Sequence, residues 1–163
     1  MIADAIRLVV SNVPLIMFVT AMLVATVVRR PAPVAERYLA WLLLFSVGID
    51  GIWAGIFHIF FPGVASGEIG WQPSPFEFEI GVADLSLGIV AVIAIWRSLS
   101  FQSAIAFFAA LFYAGVVIGH FNQAIVHGDY SPDNFGIMLI VTILRVVLIA
   151  ILLRAAWHRR KAA

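Results

Sequence analysis

Histidines and a glutamate near the ends of apolar segments have the composition of a metal site. His58 lies one helical turn before the end of the second segment, and Glu79 lies in the first turn of the third. His120 closes the fourth segment, and His127 follows seven residues later. Because successive membrane helices alternate in direction, these four residues are expected at one side of the bilayer. Two histidines with a carboxylate suit Zn²⁺ or Fe²⁺, so the pattern predicts a metal site.

The metal prediction rests on depth alone, because no single helix carries an H-E-x-x-H or E-x-x-H motif. The histidines can equally be hydrogen-bonded interfacial residues, or His58 and His120 can be axial ligands of haem b. If the fourth helix continues to residue 127, Tyr113 and Gln123 share the face of its histidines. Glu77 shares a face of the third helix with an acid one heptad further on. These three are secondary polar residues of the site.

Two carboxylates and one guanidinium fall deeper in the apolar segments. Asp50, Asp84 and Arg145 lie on three different segments, roughly 12–17 Å below their outer ends at the rise of an α-helix. Each ionisable group at such a depth costs about 2.5–3.5 kcal/mol on insertion, so each needs a partner or a role. The triad is interpreted either as a clasp between helices or as a relay for protons or ions.

The composition predicts a membrane protein. Of 163 residues, 63% are hydrophobic and 12% are charged, against about 45–50% and about 25% in soluble domains. The chain has no cysteine, which excludes disulfides, thiol catalysis and covalently attached haem. Its one lysine, Lys161, lies in the polar tail, so no retinal-type Schiff base is expected inside the bundle. The net charge of +1 gives no indication of a nucleic-acid partner.

Five apolar segments are each long enough to be a membrane helix. We therefore predict an all-α, polytopic transmembrane bundle that forms one domain over residues 1–163. Its third helix carries small residues around most of its circumference, which favours a central position. The predicted helices span residues 5–28, 36–61, 76–96, 101–121 and 135–157, each bound being approximate.

The distribution of basic residues predicts the orientation. The loops after the second and fourth helices contain no lysine or arginine, whereas the other connections and the carboxyl tail are basic. By the positive-inside rule the amino terminus lies outside and the carboxyl terminus inside. We therefore predict that the chain is a multi-pass protein of the bacterial inner (cytoplasmic) membrane. The two outer loops, rich in proline and polar residues, are expected to cover the outer polar groups, with Asp133 and Asn134 capping the fifth helix.

The segment Ile69–Gly81 resembles a family of small uncharacterised bacterial multi-pass membrane proteins with the pattern I-G-W-x-x-S-P-F-x-x-E-x-G. The matching positions include Trp71, Glu79 and Gly81, with His58 upstream. The resemblance implies that His58 and Glu79 matter more than Glu77. It implies no activity.

Three functions remain open at this stage. The first is a metal-dependent membrane enzyme or metal-handling protein that acts on a lipid or small molecule. The second is a small proton- or ion-coupled transporter or channel that uses Asp50, Asp84 and Arg145. The third is a non-catalytic accessory subunit. The sequence leaves open whether the protein is an enzyme and whether it forms a homo-oligomer.

The orientation can be tested by cysteine labelling, because the chain has no cysteine of its own. We expect Gln72→Cys to react with a membrane-impermeant maleimide in intact spheroplasts. Ala32→Cys, in a basic connection, should react only after the membrane is opened. The reverse pattern would contradict the predicted orientation.

Overall fold

The structure is a computed structural model that describes residues 9–161. The main elements are helices, and no strand occurs between residues 9 and 161. We number six helices along the chain: α1 (Val13–Val27), α2 (Val34–Phe60), α3 (Pro62–Glu68), α4 (Phe76–Ile93), α5 (Leu99–His127) and α6 (Ile137–Lys161).

The predicted all-α membrane bundle is confirmed. Within the described residues, α2, α5, most of α6, and α4 with its 3₁₀ extension to Trp96 are long and apolar enough to cross a membrane. Helix α1 is apolar but has only 15 residues, so it is shorter than a usual span. The predicted start of the first helix, at about residue 5, lies outside the described residues. The orientation stays a prediction.

Local sequence signals account for the helix ends. Pro62 begins α3, a short helix within the first outer loop that was not predicted. The Ser98 hydroxyl accepts a hydrogen bond from the Phe101 amide and caps α5. Helix α5 continues past its predicted end to His127 and stops at Gly128. Gly128 has a φ of 68°, a left-handed conformation that ends a helix and that glycine adopts without strain.

Helix α2, and not α4, is the most buried of the membrane-crossing helices. It packs against α1, α4 and α6, whereas α4 packs chiefly against α2. The prediction of a central α4 was therefore wrong: Gly81 and Gly88 lie in one close contact with α2, whereas the small residues Ala83 and Ser86 are exposed. Residues Leu43–Ile49 of α2 form a π-helix, a widened turn that often occurs at functional sites.

Glycines bring the backbones of α2 and α4 into contact. A Cβ atom on Gly88 would lie 2.6 Å from the Ile52 amide nitrogen and 2.8 Å from the Gly48 carbonyl oxygen. A Cβ atom on Gly55 would lie 2.7 Å from the Leu85 amide nitrogen. No other residue type fits these positions unless the helices move apart, so α2 and α4 form a tightly joined pair.

The two halves of the bundle are packed differently. On the inner side, in the predicted orientation, Leu39, Leu42 and Leu43 of α2 are completely buried together with Ile149 and Ala156 of α6. On the outer side the helices enclose a cavity. The interior is thus filled at one end and hollow at the other, and the deep charged residues lie between the two parts.

Replacing Gly88 tests the helix contact. We expect Gly88→Ala to force α2 and α4 apart and to lower the free energy of unfolding by about 1–3 kcal/mol, the usual cost of overpacking. Gly115→Ala is the matched control, because a Cβ atom there meets nothing within 4 Å. That variant should be neutral or slightly stabilising. Thermal unfolding in detergent, followed by circular dichroism, compares the two, and equal stabilities would contradict the close contact.

Candidate functional site

A cavity of about 370 Å³ occupies the half of the bundle that the predicted orientation places outside. Its walls come from α2, α4, α5 and α6, and Val10 and Pro14 close one side. Its outer mouth is lined by Glu68, Trp71 and Asp133 from the two outer loops. The opposite end, which we call the base, is formed by the three charged residues predicted to lie deep in the bilayer. One cavity therefore joins the two polar layers inferred from the sequence.

The base of the cavity is organised around Arg145. Its Nη2 donates to Asp50 Oδ2 in an ion pair, and its Nε donates to Ser46 Oγ at 3.0 Å. The guanidinium also lies over the Tyr113 ring, 4.5 Å from the centroid. Arg145 and Asp50 are only 2% and 5% exposed. The pairing and the hydrogen bond compensate for part of the loss of water that burial imposes on both charges.

Asp84 is the second carboxylate of the base. It is 7% exposed, lines the cavity and interacts electrostatically with both Asp50 and Arg145. Within residues 9–161 no hydrogen bond joins its carboxylate to another group. Asp50 thus holds the guanidinium, and Asp84 remains as a carboxylate that a molecule in the cavity can reach.

His58 lies higher on the cavity wall and is held by Glu77. Its Nδ1 donates to Glu77 Oε1 at 3.1 Å, while Ser66 Oγ donates to Glu77 Oε2. These hydrogen bonds connect α2, α3 and α4 at the outer end. The partner of His58 is therefore Glu77, the acid to which the resemblance gave less weight than to Glu79. The Glu79 side chain is exposed.

His120 lies on the facing wall and is held by Asn134. Its Nδ1 donates to Asn134 Oδ1 at 2.6 Å, and Asn134 Nδ2 donates to the Asp129 carbonyl at 2.6 Å. Asn134 is completely buried. It was expected to cap the last helix, but α6 begins only at Ile137, so its amide serves the histidine and the loop instead.

The two outer loops are joined above the cavity. Trp71 Nε1 donates to Asp129 Oδ2 at 3.1 Å, and the Trp71 ring lies 6.1 Å from that of His120. The Ser131 hydroxyl and amide donate to Asp129 Oδ1, and these hydrogen bonds lower the pKa of Asp129. Gly70 has a φ of 81° and packs directly on Asp129 and Ser131, a place where a side chain does not fit.

The predicted metal ligands are only partly brought together. His58 and His120 both line the cavity, each fixed through Nδ1 as metal-binding histidines often are. Glu79 and His127 are exposed and do not line it. Across the described residues no three histidine or acidic side chains are placed to hold one ion. The geometry therefore gives the metal hypothesis no support, and zinc, iron and haem b stay predictions.

Several residues of the site were missed by sequence reasoning. Ser46 precedes Asp50 by four residues, so helical spacing alone could have placed it beside the ion pair. Ser66 and Trp53 had no comparable signal, because one lies in an unpredicted helix and the other resembles any apolar wall residue. The secondary residue Gln123 is half-buried and contributes its carbonyl, which accepts the Gly128 and Asp129 amides at the end of α5.

The ion pair predicts unequal effects of removing its two partners. Arg145→Met leaves two buried carboxylates without a cation and should cost about 3–5 kcal/mol in stability. Asp50→Asn should cost less, because Asp84 can take over Arg145. Denaturation in mixed micelles measures the free energy of unfolding of each variant. In the double variant, which carries both Asp50→Asn and Arg145→Met, the Asp84 carboxylate is left buried without a cation. Its loss of stability should therefore exceed that of Asp50→Asn by the cost of burying this carboxylate. Equal losses from the two single variants would contradict the proposed part of Asp84.

Comparison with known proteins supplies a family and nothing further. No curated protein matches the chain at a significant level, and no solved structure does. A family model does match residues 11–162, a range that covers α1 to α6 and every lining residue of the cavity except Val10. The chain therefore belongs to DUF6790, a family of unknown function.

Proposed function

We propose that the protein is a small proton-coupled membrane transporter of the bacterial cytoplasmic membrane, with its cavity open to the outside. The observation that carries the proposal is the single cavity that leads from the outer loops to Asp50, Asp84 and Arg145. A purely structural ion pair needs no such access. Intramembrane acids that line a cavity are typical of substrate and proton pathways.

The charge balance of the base supports proton binding. Two carboxylates face one guanidinium, so the fully ionised triad carries one net negative charge in a poorly hydrated place. Since Asp50 is engaged by Arg145, uptake of a proton at Asp84 neutralises the group. Binding of a cation at Asp84 would have the same electrostatic effect, and competition between the two is the simplest form of coupling.

The packing of the bundle supports an outward-facing state. Below the ion pair, leucines of α2 and aliphatic residues of α6 fill the inner half, so the cavity ends at the charged triad. The π-helical segment Leu43–Ile49 lies at this boundary. Its weaker, wider hydrogen-bond pattern makes it a natural place for α2 to change shape.

Proton flux in vesicles tests the proposal. Purified protein in liposomes with an internal pH-sensitive dye receives an imposed pH gradient, and amines, amino acids, sugars and carboxylates are added outside in turn. We expect at least one solute class to accelerate dissipation of the gradient. Asp84→Asn should abolish this effect, since it cannot bind and release the proton.

Glu79→Gln is the matched control, because it removes an exposed carboxylate from the same helix and should keep full flux. A folded Asp84→Asn protein with wild-type flux would overturn the proposal. Elemental analysis of the same preparation tests the metal alternative: stoichiometric zinc or iron that is lost in His58→Ala would favour it.

A further inference from the structure

The geometry points to a monovalent organic cation with an apolar body as the ligand of the cavity, and to Asp84 as its counter-ion. This inference rests on the proposed function and names the substrate class of the same site. Four properties of the cavity carry it: its charge, its aromatic walls, its size and the engagement of its one arginine.

The cavity wall has an excess of negative charge. The acidic residues that line it are Asp50, Glu68, Asp84 and Asp133, and the single lysine or arginine side chain lining it within the described residues is Arg145. Burial, and to a lesser extent the nearby Glu68, raises the pKa of Asp133. The two outer loops contain no lysine or arginine, which favours a negative potential at the mouth. Such a potential concentrates cations and repels anions.

Aromatic rings provide the second property. Trp53 and Phe57 lie on the α2 wall with ring centroids 4.6 Å apart, and Phe112 lies beside Tyr113 on the α5 wall. Trp71 covers the mouth. Rings beside a carboxylate are the usual recognition elements for substituted ammonium groups. The protein already uses this interaction, since Tyr113 packs against the guanidinium of Arg145.

Size and polarity exclude other ligands. About 370 Å³ is at the small end of ligand cavities. Much of the remaining wall is apolar, including Val64, Ile80, Val116 and Met138, so it lacks the many hydrogen-bonding groups that a sugar needs. A bare divalent ion needs several oxygen ligands, and the described residues contain no group of three acidic or histidine side chains suited to it.

Arg145 is not placed to select an anion. Its Nη2 is engaged by Asp50, its Nε by Ser46, and its face by Tyr113. A carboxylate ligand would have to break the ion pair with Asp50. A cation instead meets Asp84, whose carboxylate has no hydrogen-bond partner within residues 9–161. The proton on Asp84 leaves as the cation binds, so one positive charge replaces another.

Benzyltrimethylammonium is a suitable probe, because it is permanently charged and has no proton of its own to release. Its neutral carbon isostere, neopentylbenzene, is the matched control ligand. Quenching of tryptophan fluorescence reports binding, since Trp53 and Trp71 line the cavity. In weakly buffered micelles, a pH dye measures protons released on binding.

We expect the charged probe to bind at least about tenfold more tightly than its isostere, a difference that reports the charge itself. Affinity should rise with pH by up to about tenfold per unit where Asp84 releases its proton, with close to one proton released per cation. Asp84→Asn should lose the pH dependence and most of the affinity. Asp84→Glu should restore both, and Glu79→Gln should leave both unchanged.

Several outcomes overturn the inference. Equal binding of the neutral isostere would show that the cavity selects an apolar body alone. Tight binding to a folded Asp84→Asn protein would place the cation elsewhere. If the probe does not bind but another solute class drives proton flux, the organic cation is wrong as the substrate class and the transporter function stands. If cations bind in an Asp84-dependent way but no solute drives flux in vesicles, the cation site stands and the transporter function is wrong.

Discussion

The ion pair between Arg145 and Asp50 is the interaction on which the rest of the structure depends. A guanidinium in the middle of an apolar bundle is stable only with a partner, and here a carboxylate, a hydroxyl and an aromatic face surround it. The pair also joins α6 to α2, two helices far apart in the chain. Everything polar in the outer half is arranged above it, and the aliphatic core lies below it.

The outer hydrogen bonds give the cavity a defined shape. Glu77 fixes the His58 ring, Asn134 fixes the His120 ring, and Trp71 bonds to Asp129 across the two loops. Each of these bonds connects different elements, so the mouth is held by side chains and not by helix packing. Bonds of this kind near water contribute little stability each, so the mouth can open at a small cost in free energy.

Much of the architecture followed from the sequence because lipid imposes simple rules. Long apolar runs predict helices, and depth counting put Asp50, Asp84 and Arg145 at one level. What the sequence could not supply was rotation about each helix axis. Depth matching placed Glu77 and Glu79 at the same level as His58, and it is the rotation of α4 that turns Glu77 toward the histidine. The short α3 and the π-helix in α2 were missed for a related reason, since neither leaves a distinct pattern in apolar residues.

The glycine contact between α2 and α4 has a mechanical consequence. Two helices whose backbones touch cannot slide or tilt independently, so α2 and α4 form one rigid arm along this contact. Helices α5 and α6 pack on each other as a second arm, and the cavity lies between the two. The pairing of Arg145 with Asp50 therefore spans the gap between the arms and acts as an electrostatic latch. In the proposed transporter, a change in charge at Asp84 alters the strength of that latch and so couples ligand exchange to movement between the arms.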